Sequence, residues 1–204
     1  MAPRIGSIFT LTALLAFLAG ATLVVYGRWT RPIVLAAAAL DAGNTEGAVA
    51  PYTDSARRFR SVALTQRILA PDYSLVAHNQ LAALYTLGRY DEVIERAAEA
   101  PDGSAPHFWS GCALFKKSVQ QTNPDAQLEW LTRSQEEFKL ALAAAPDDWD
   151  TKFNYELTSR LAAAMRPGSD KRGKQQSNAP STLMQLLRPQ QQQKSQDRVV
   201  KKVG

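Results

Sequence analysis

The sequence predicts an all-α protein, and three observations carry that reading. Residues 32–165 are rich in Ala and Leu and poor in β-branched residues. Pro and Gly interrupt them at helix-length intervals, with apolar residues between the interruptions recurring at i, i+3, i+4 and i+7. No segment alternates apolar and polar side chains over the length of a strand. An uncharged stretch precedes this body and a basic, Gln-rich stretch follows it. The expected organisation is a membrane anchor over 1–31, a helical domain over 32–165 and a disordered tail over 166–204.

The first element is the uncharged run Ile5–Tyr26, 22 residues long. At about 1.5 Å per residue a helix of that length reaches roughly 33 Å, enough to cross a hydrocarbon core of about 30 Å. Ser7, Thr10, Thr12 and Thr22 are tolerable there, because short hydroxyls bond back to the preceding helical turn. Arg4 before the run, Tyr26 at its end, and Arg28, Trp29 and Arg31 after it are the residue types found at membrane interfaces. A cleaved signal peptide is the rival reading, with Ala19-Gly20-Ala21 as its small-residue site. Against it, Thr22–Tyr26 prolongs the apolar run beyond that site. Basic residues flank both ends, so the positive-inside rule does not orient the segment.

The body follows as helical segments. Arg57 to Ala70 carries Phe59, Val62, Ala63 and Leu69 and is expected to stop at Pro71-Asp72. Over 74–101, Ala77, Leu81, Leu84 and Tyr85 share one face, Gly88 interrupts, and Tyr90, Val93, Ile94, Ala97 and Ala98 resume the pattern until Pro101. His107 to Gln120 carries Phe108, Cys112, Phe115 and Val119. Asn123-Pro124-Asp125 marks a turn, with Asp125 the expected N-cap. Leu128, Leu131, Phe138 and Leu142 then fall on one face, ending at Pro146-Asp147. Trp149, Phe153, Leu157 and Leu161 line a last helix to about Met165.

Charge divides along the same boundaries. The net charge of +5 resolves into +3 over residues 1–31, −5 over 32–165 and +7 over 166–204. A nucleic-acid surface would need aromatics interleaved with the bases of the tail, and the tail has none, so no nucleic-acid partner is expected. The single cysteine excludes an internal disulfide framework and any multi-cysteine zinc site. His107 and Cys112 are five residues apart, about 140° around a helix, the wrong spacing for a shared metal. No phosphate loop, nucleophile elbow, H-E-x-x-H or EF-hand sequence occurs. Asp147, Asp148 and Asp150 follow a proline at a helix start, where carboxylates serve as caps more than as catalysts. No enzyme activity, cofactor or metal is therefore expected. Within the tail, Leu183, Leu186 and Leu187 fall on one side of a short potential helix. They make it either a segment that folds on binding a partner or a solvated linker.

The helical stops are spaced near 35–40 residues, and residues 84–97, LYTLGRYDEVIERA, resemble the turn of a tetratricopeptide repeat. Gly88, then Tyr90, the acidic pair Asp91-Glu92 and apolar Ile94 carry the likeness. Residues 138–146 resemble that repeat's ending, through Phe138, Ala141, Leu142 and Pro146. Val93 stands where the repeat has a small residue, and about six or seven extra residues lie around Lys117–Gln127. The resemblance thus implies two to three degenerate repeats over roughly 55–165.

A narrower resemblance covers residues 146–161, PDDWDTKFNYELTSRL. They are similar to the closing element of MxaK-type proteins, small membrane-anchored repeat proteins encoded beside MoxR-family ATPases and von Willebrand A-domain proteins in bacteria. Pro146, the acidic pair Asp147-Asp148, Trp149, the pair Phe153-Asn154 and Glu156-Leu157 carry it. The resemblance implies an accessory role in assembling metalloenzymes or envelope complexes, with those two kinds of protein as partners. It also implies an inner-membrane location with the helical part in the periplasm. Asn154 and Glu156 are two apart and cannot share a helical face. The other function weighed is an envelope structural protein whose basic tail binds anionic lipid or cell-wall polymer.

Overall fold

The computed structural model describes residues 3–166, with side chains from Thr10 onward. Eight helices occupy this range, and there is no strand among the described residues. They are α1 (Pro3–Asp41), α2 (Thr45–Ser61), α3 (Ala63–Ile68), α4 (Ala70–Thr86), α5 (Tyr90–Ala98), α6 (Ser104–Val119), α7 (Pro124–Ala144) and α8 (Trp149–Met165). Two compact units divide the chain, Met1–Ser110 and Gly111–Gly204. The tail from residue 167 on, including Leu183, Leu186 and Leu187, lies outside the described residues.

In the first unit the N-terminal helix does not end at residue 31. It continues as one helix for 39 residues to Asp41. The two parts of α1 differ in what their side chains meet. From Thr10 to Arg28 every residue is exposed. From Trp29 on, a stripe at helical spacing packs into a core: Trp29, Ile33, Ala36 and Leu40. The boundary expected at 31 therefore falls inside a helix, because Ile33 to Leu40 is as apolar and Ala-rich as a helix core needs. Pro32 sits near this change; lacking an N–H, it makes no bond to the Arg28 carbonyl.

α1 turns into α2 over three residues. Gly43, with φ 76°, donates to the Leu40 carbonyl at 2.9 Å, and Asn44 donates to Ala39 at 2.8 Å. This Schellman pairing satisfies carbonyls at the end of α1, and only glycine adopts that φ without cost. Asn44 then caps α2, its Oδ1 accepting from the Gly47 N–H at 2.9 Å. α2 buries Ala48, Val49, Tyr52, Ser55, Ala56 and Phe59. With Ala36, Tyr73 and Val76, most of these form the core of the unit. Trp29 meets Phe59 edge-on at 5.8 Å, and Phe59 stacks on Tyr73 at 5.2 Å.

The helix expected over 57–70 is two helices. α2 ends at Ser61, and Val62 is extended (φ −130°, ψ 100°) before the single turn and a half of α3. Pro71-Asp72 does not stop a helix but opens α4. Proline is tolerated in a first turn, where its missing N–H has no intrahelical partner, and Asp72 complements the helix dipole. α4 packs on both α2 and α5. Buried Gln80 donates to Thr53 Oγ1 at 2.8 Å, and Asn79 donates to the Tyr52 hydroxyl at 3.2 Å. Burial pushes the Tyr52 hydroxyl's pKa up, with the Asn79 bond opposing it.

The second unit holds the rest of α6, with α7 and α8 packed together. Leu131, Leu161 and Ala162 form one core cluster there, flanked by Phe115, Leu128, Leu157 and Met165, and Ala113, Leu114, Phe138 and Ala141 are buried as well. The cap of α7 is Asn123 and not Asp125. The Asn123 side chain accepts from the Asp125 and Ala126 N–H groups, and Pro124 takes the first helical position. Gly111 on α6 lies so close to the Phe138 ring that a Cβ there would come within 2.8 Å of it. Ser134 Oγ, also buried, donates to the Gly111 carbonyl at 2.8 Å.

Candidate partner-binding surface

The residues of 146–161 assemble at the start of α8. Pro146 and Asp147 form the exposed approach from α7, and Asp148 is the N-cap. Its carboxylate accepts from the Asp150 N–H at 3.1 Å and from the Thr151 hydroxyl at 2.6 Å. Both of its oxygens are thus engaged in holding the helix end. Asp147 faces Lys152 at 3.8 Å.

α8 turns Thr151, Thr158, Leu161 and Ala162 into the protein. Trp149 and Phe153, expected to line the helix with Leu157 and Leu161, lie instead on its outer side, 75% and 49% exposed. The reason is angular: 149, 153, 156 and 160 follow one another at four, three and four residues, a stripe separate from that of 151, 158 and 162. Glu156 is on this outer stripe and accepts from Arg160 Nε at 2.6 Å. Asn154 is off it. Its Nδ2 donates to the Asp150 carbonyl one turn back at 2.9 Å, and its own carbonyl accepts from the Thr158 hydroxyl at 2.7 Å. Trp149, Phe153 and Glu156 therefore share one face, while Asn154 serves its own helix.

The turn between α4 and α5 has the geometry its residues promised. Gly88, with φ 75°, donates to Tyr85 at 3.0 Å, and Arg89 donates to Leu84 at 3.0 Å, a second Schellman closure. Tyr90 opens α5, its ring 5.5 Å from that of Tyr85. Val93 is fully buried. Arg89 clamps Glu92 with two bonds, at 2.6 and 2.8 Å, and reaches Glu46 on α2 at 3.1 Å. The bonds from Arg89 hold the Glu92 carboxyl below its ordinary pKa. Phe138 and Ala141 are buried on α7, and exposed Pro146 follows that helix.

One aromatic was not singled out in the sequence. Trp109 meets Tyr85 at 5.3 Å, Phe108 at 5.2 Å and His78 at 5.8 Å, and its Nε1 donates to His78 Nδ1 at 3.4 Å. Its neighbour Phe108 carried the helical pattern, and the signal for Trp109 was its spacing to Tyr85 across two helices, which a single sequence does not display. Cys112 is enclosed, and burial pushes its thiol up to about 12. Among the described residues no group of three or more His, Cys, Asp or Glu side chains gathers to hold a metal.

No family model, curated protein or solved structure matches this chain.

Proposed function

We propose that this protein is a membrane-anchored helical adaptor, a non-enzymatic accessory factor that holds a protein partner through the outer face of α8. The observation that carries the reading is the exposure of Trp149 and Phe153. Two large aromatics one turn apart stand outside the core with Glu156 beside them, and a Trp with three-quarters of its surface in water is costly to maintain without use. α1 supports the anchor: it is long and apolar enough to cross a membrane, and its exposed stretch from Thr10 to Arg28 is continuous with a packed second half. The hairpin turn at Gly88 supports a tetratricopeptide-like body, built of helices whose stripes pack on their neighbours. The resemblance of residues 146–161 to the MxaK-type closing element supports a MoxR-type ATPase and a von Willebrand A-domain protein as the partners.

Co-purification from solubilised membranes tests this. Expressed with a MoxR-type ATPase and a von Willebrand A-domain protein of the same genome, the intact chain retains one or both. The double variant Trp149→Ala/Phe153→Ala releases them, at least tenfold, with thermal stability unchanged because neither ring supports the core. Retention of neither partner by the intact chain contradicts the reading.

A further inference from the structure

The foot of the first unit, where α1 passes from its exposed half to its packed half, holds a groove of about 1000 Å³ between α1 and α2. Arg28 and Arg31 of α1 and Arg58 of α2 line it, and Val25, Leu35 and Pro51 supply apolar walls. No ion pair engages Arg28, Arg31 or Arg58 among the described residues. The acid on the groove wall, Asp54, faces Arg57 at 3.4 Å. Three arginines lining one groove with apolar walls have the composition to receive a phosphate that carries hydrocarbon.

The level of this groove follows from helix geometry. α1 rises roughly 18 Å from Trp29 to Asp41, and α2 returns roughly 21 Å from Thr45 to Phe59. The contact between Trp29 and Phe59 confirms that α2 comes back to the height at which the apolar run of α1 ends. α3 begins immediately beyond that point. It buries no residue, and Leu64 and Ile68, one turn apart, are 64% and 67% exposed, with Val62 exposed just before them. Arg67 stands beside them on the same short helix. Apolar side chains on one edge with arginines around them are the composition of a helix lying in a membrane interface.

We propose that the Arg28–Arg31–Arg58 groove holds the headgroup of an anionic phospholipid, and that the Leu64–Ile68 edge of α3 sits in the bilayer beside it. The occupant is a lipid and not a free phosphate, because the groove's apolar walls continue directly into the uncharged half of α1. The inference rests on the reading of α1 as an anchor. It adds a second, selective contact with the same membrane, made by the folded unit itself.

The test uses the full chain in nanodiscs of equal parts phosphatidylcholine and phosphatidylglycerol, with Cys112→Ala as background. Spin labels placed singly at positions 14, 64 and 86 report depth through their exposure to oxygen and to a water-soluble relaxant. Labels at 14 and 64 report lipid, and the label at 86, at the far end of α4, reports water. Native mass spectrometry on the unlabelled chain reads the headgroup. Phosphatidylglycerol stays bound in preference to phosphatidylcholine. Arg28→Gln/Arg31→Gln/Arg58→Gln lowers that retention by roughly fivefold or more, the effect of about one basic contact at a membrane surface. Asp54→Asn raises it. Lipid depth at 14 with water at 64, or phosphatidylglycerol retention unaltered in the triple variant, overturns the proposal and leaves the anchor standing. Water at 14 overturns the anchor and the proposal with it.

Discussion

At the scale of single residues, the second unit is most constrained where α6 meets α7. Gly111 is there because the Phe138 ring occupies the space of its side chain, and both neighbours of the contact are buried. Gly111→Ala is expected to cost about 1–3 kcal/mol, as overpacking of a filled core does, measured by urea unfolding. An unchanged midpoint would mean the helices separate freely at that point. Cys112, one residue on, is held as a thiol, with its pKa pushed by burial to about 12. Below the ordinary cysteine pKa of about 8.5 the folded state has no thiolate to offer, so iodoacetamide is expected to alkylate Cys112 only in denaturant. The sequence put Cys112 on the apolar stripe of its helix, away from any metal partner. It gave no sign of Gly111, since a close approach depends on which ring the neighbouring helix brings to that point.

Among the elements, α1 carries two tasks in one uninterrupted helix. From Thr10 to Arg28 it is exposed throughout, and beyond that it supplies Trp29, Ile33, Ala36 and Leu40 to the core of the first unit. A chain beginning at Gly27 is therefore expected to remain folded and to lose the anchor's wash-resistant hold on the membrane, leaving at most a contact that high salt releases. One beginning at Ala42 is expected to lose cooperative unfolding, because Tyr52 and Phe59 would face water. Circular dichroism during thermal melting distinguishes the two. The uncharged run was plain from composition, yet its continuation was hidden: Arg28, Arg31 and Pro32 read as a boundary, while the Schellman turn that ends the helix lies eleven residues further on at Gly43. Pro71 misled for a related reason. Proline marks a helix start as readily as a stop, and only the extended Val62 and the cap geometry settle which it is. The Gly88 turn was legible because glycine at positive φ, followed by an aromatic and an acidic pair, is a local pattern that needs no tertiary partner.

For the whole molecule, an apolar helix suited to a bilayer joins an all-helical body that leaves aromatic surface outside its core. The sequence placed Trp149 and Phe153 in the right element but on the wrong side of it. Their spacing matched a core stripe, and Thr151 and Thr158, polar in composition, took the buried positions instead, with Thr151 bonded to Asp148 and Thr158 to the Asn154 carbonyl. Hydroxyls that satisfy themselves within one helix can be buried at little cost, and a periodicity of apolar residues alone does not register that. The central claim, that the outer face of α8 holds a protein partner at a membrane, is tested most directly by photo-crosslinking in intact membranes. A benzophenone amino acid at position 153 is expected to join the chain to a MoxR-type ATPase or a von Willebrand A-domain protein, and the same group at exposed Glu95 to neither. No adduct at 153, or equal adducts at both positions, would contradict the account.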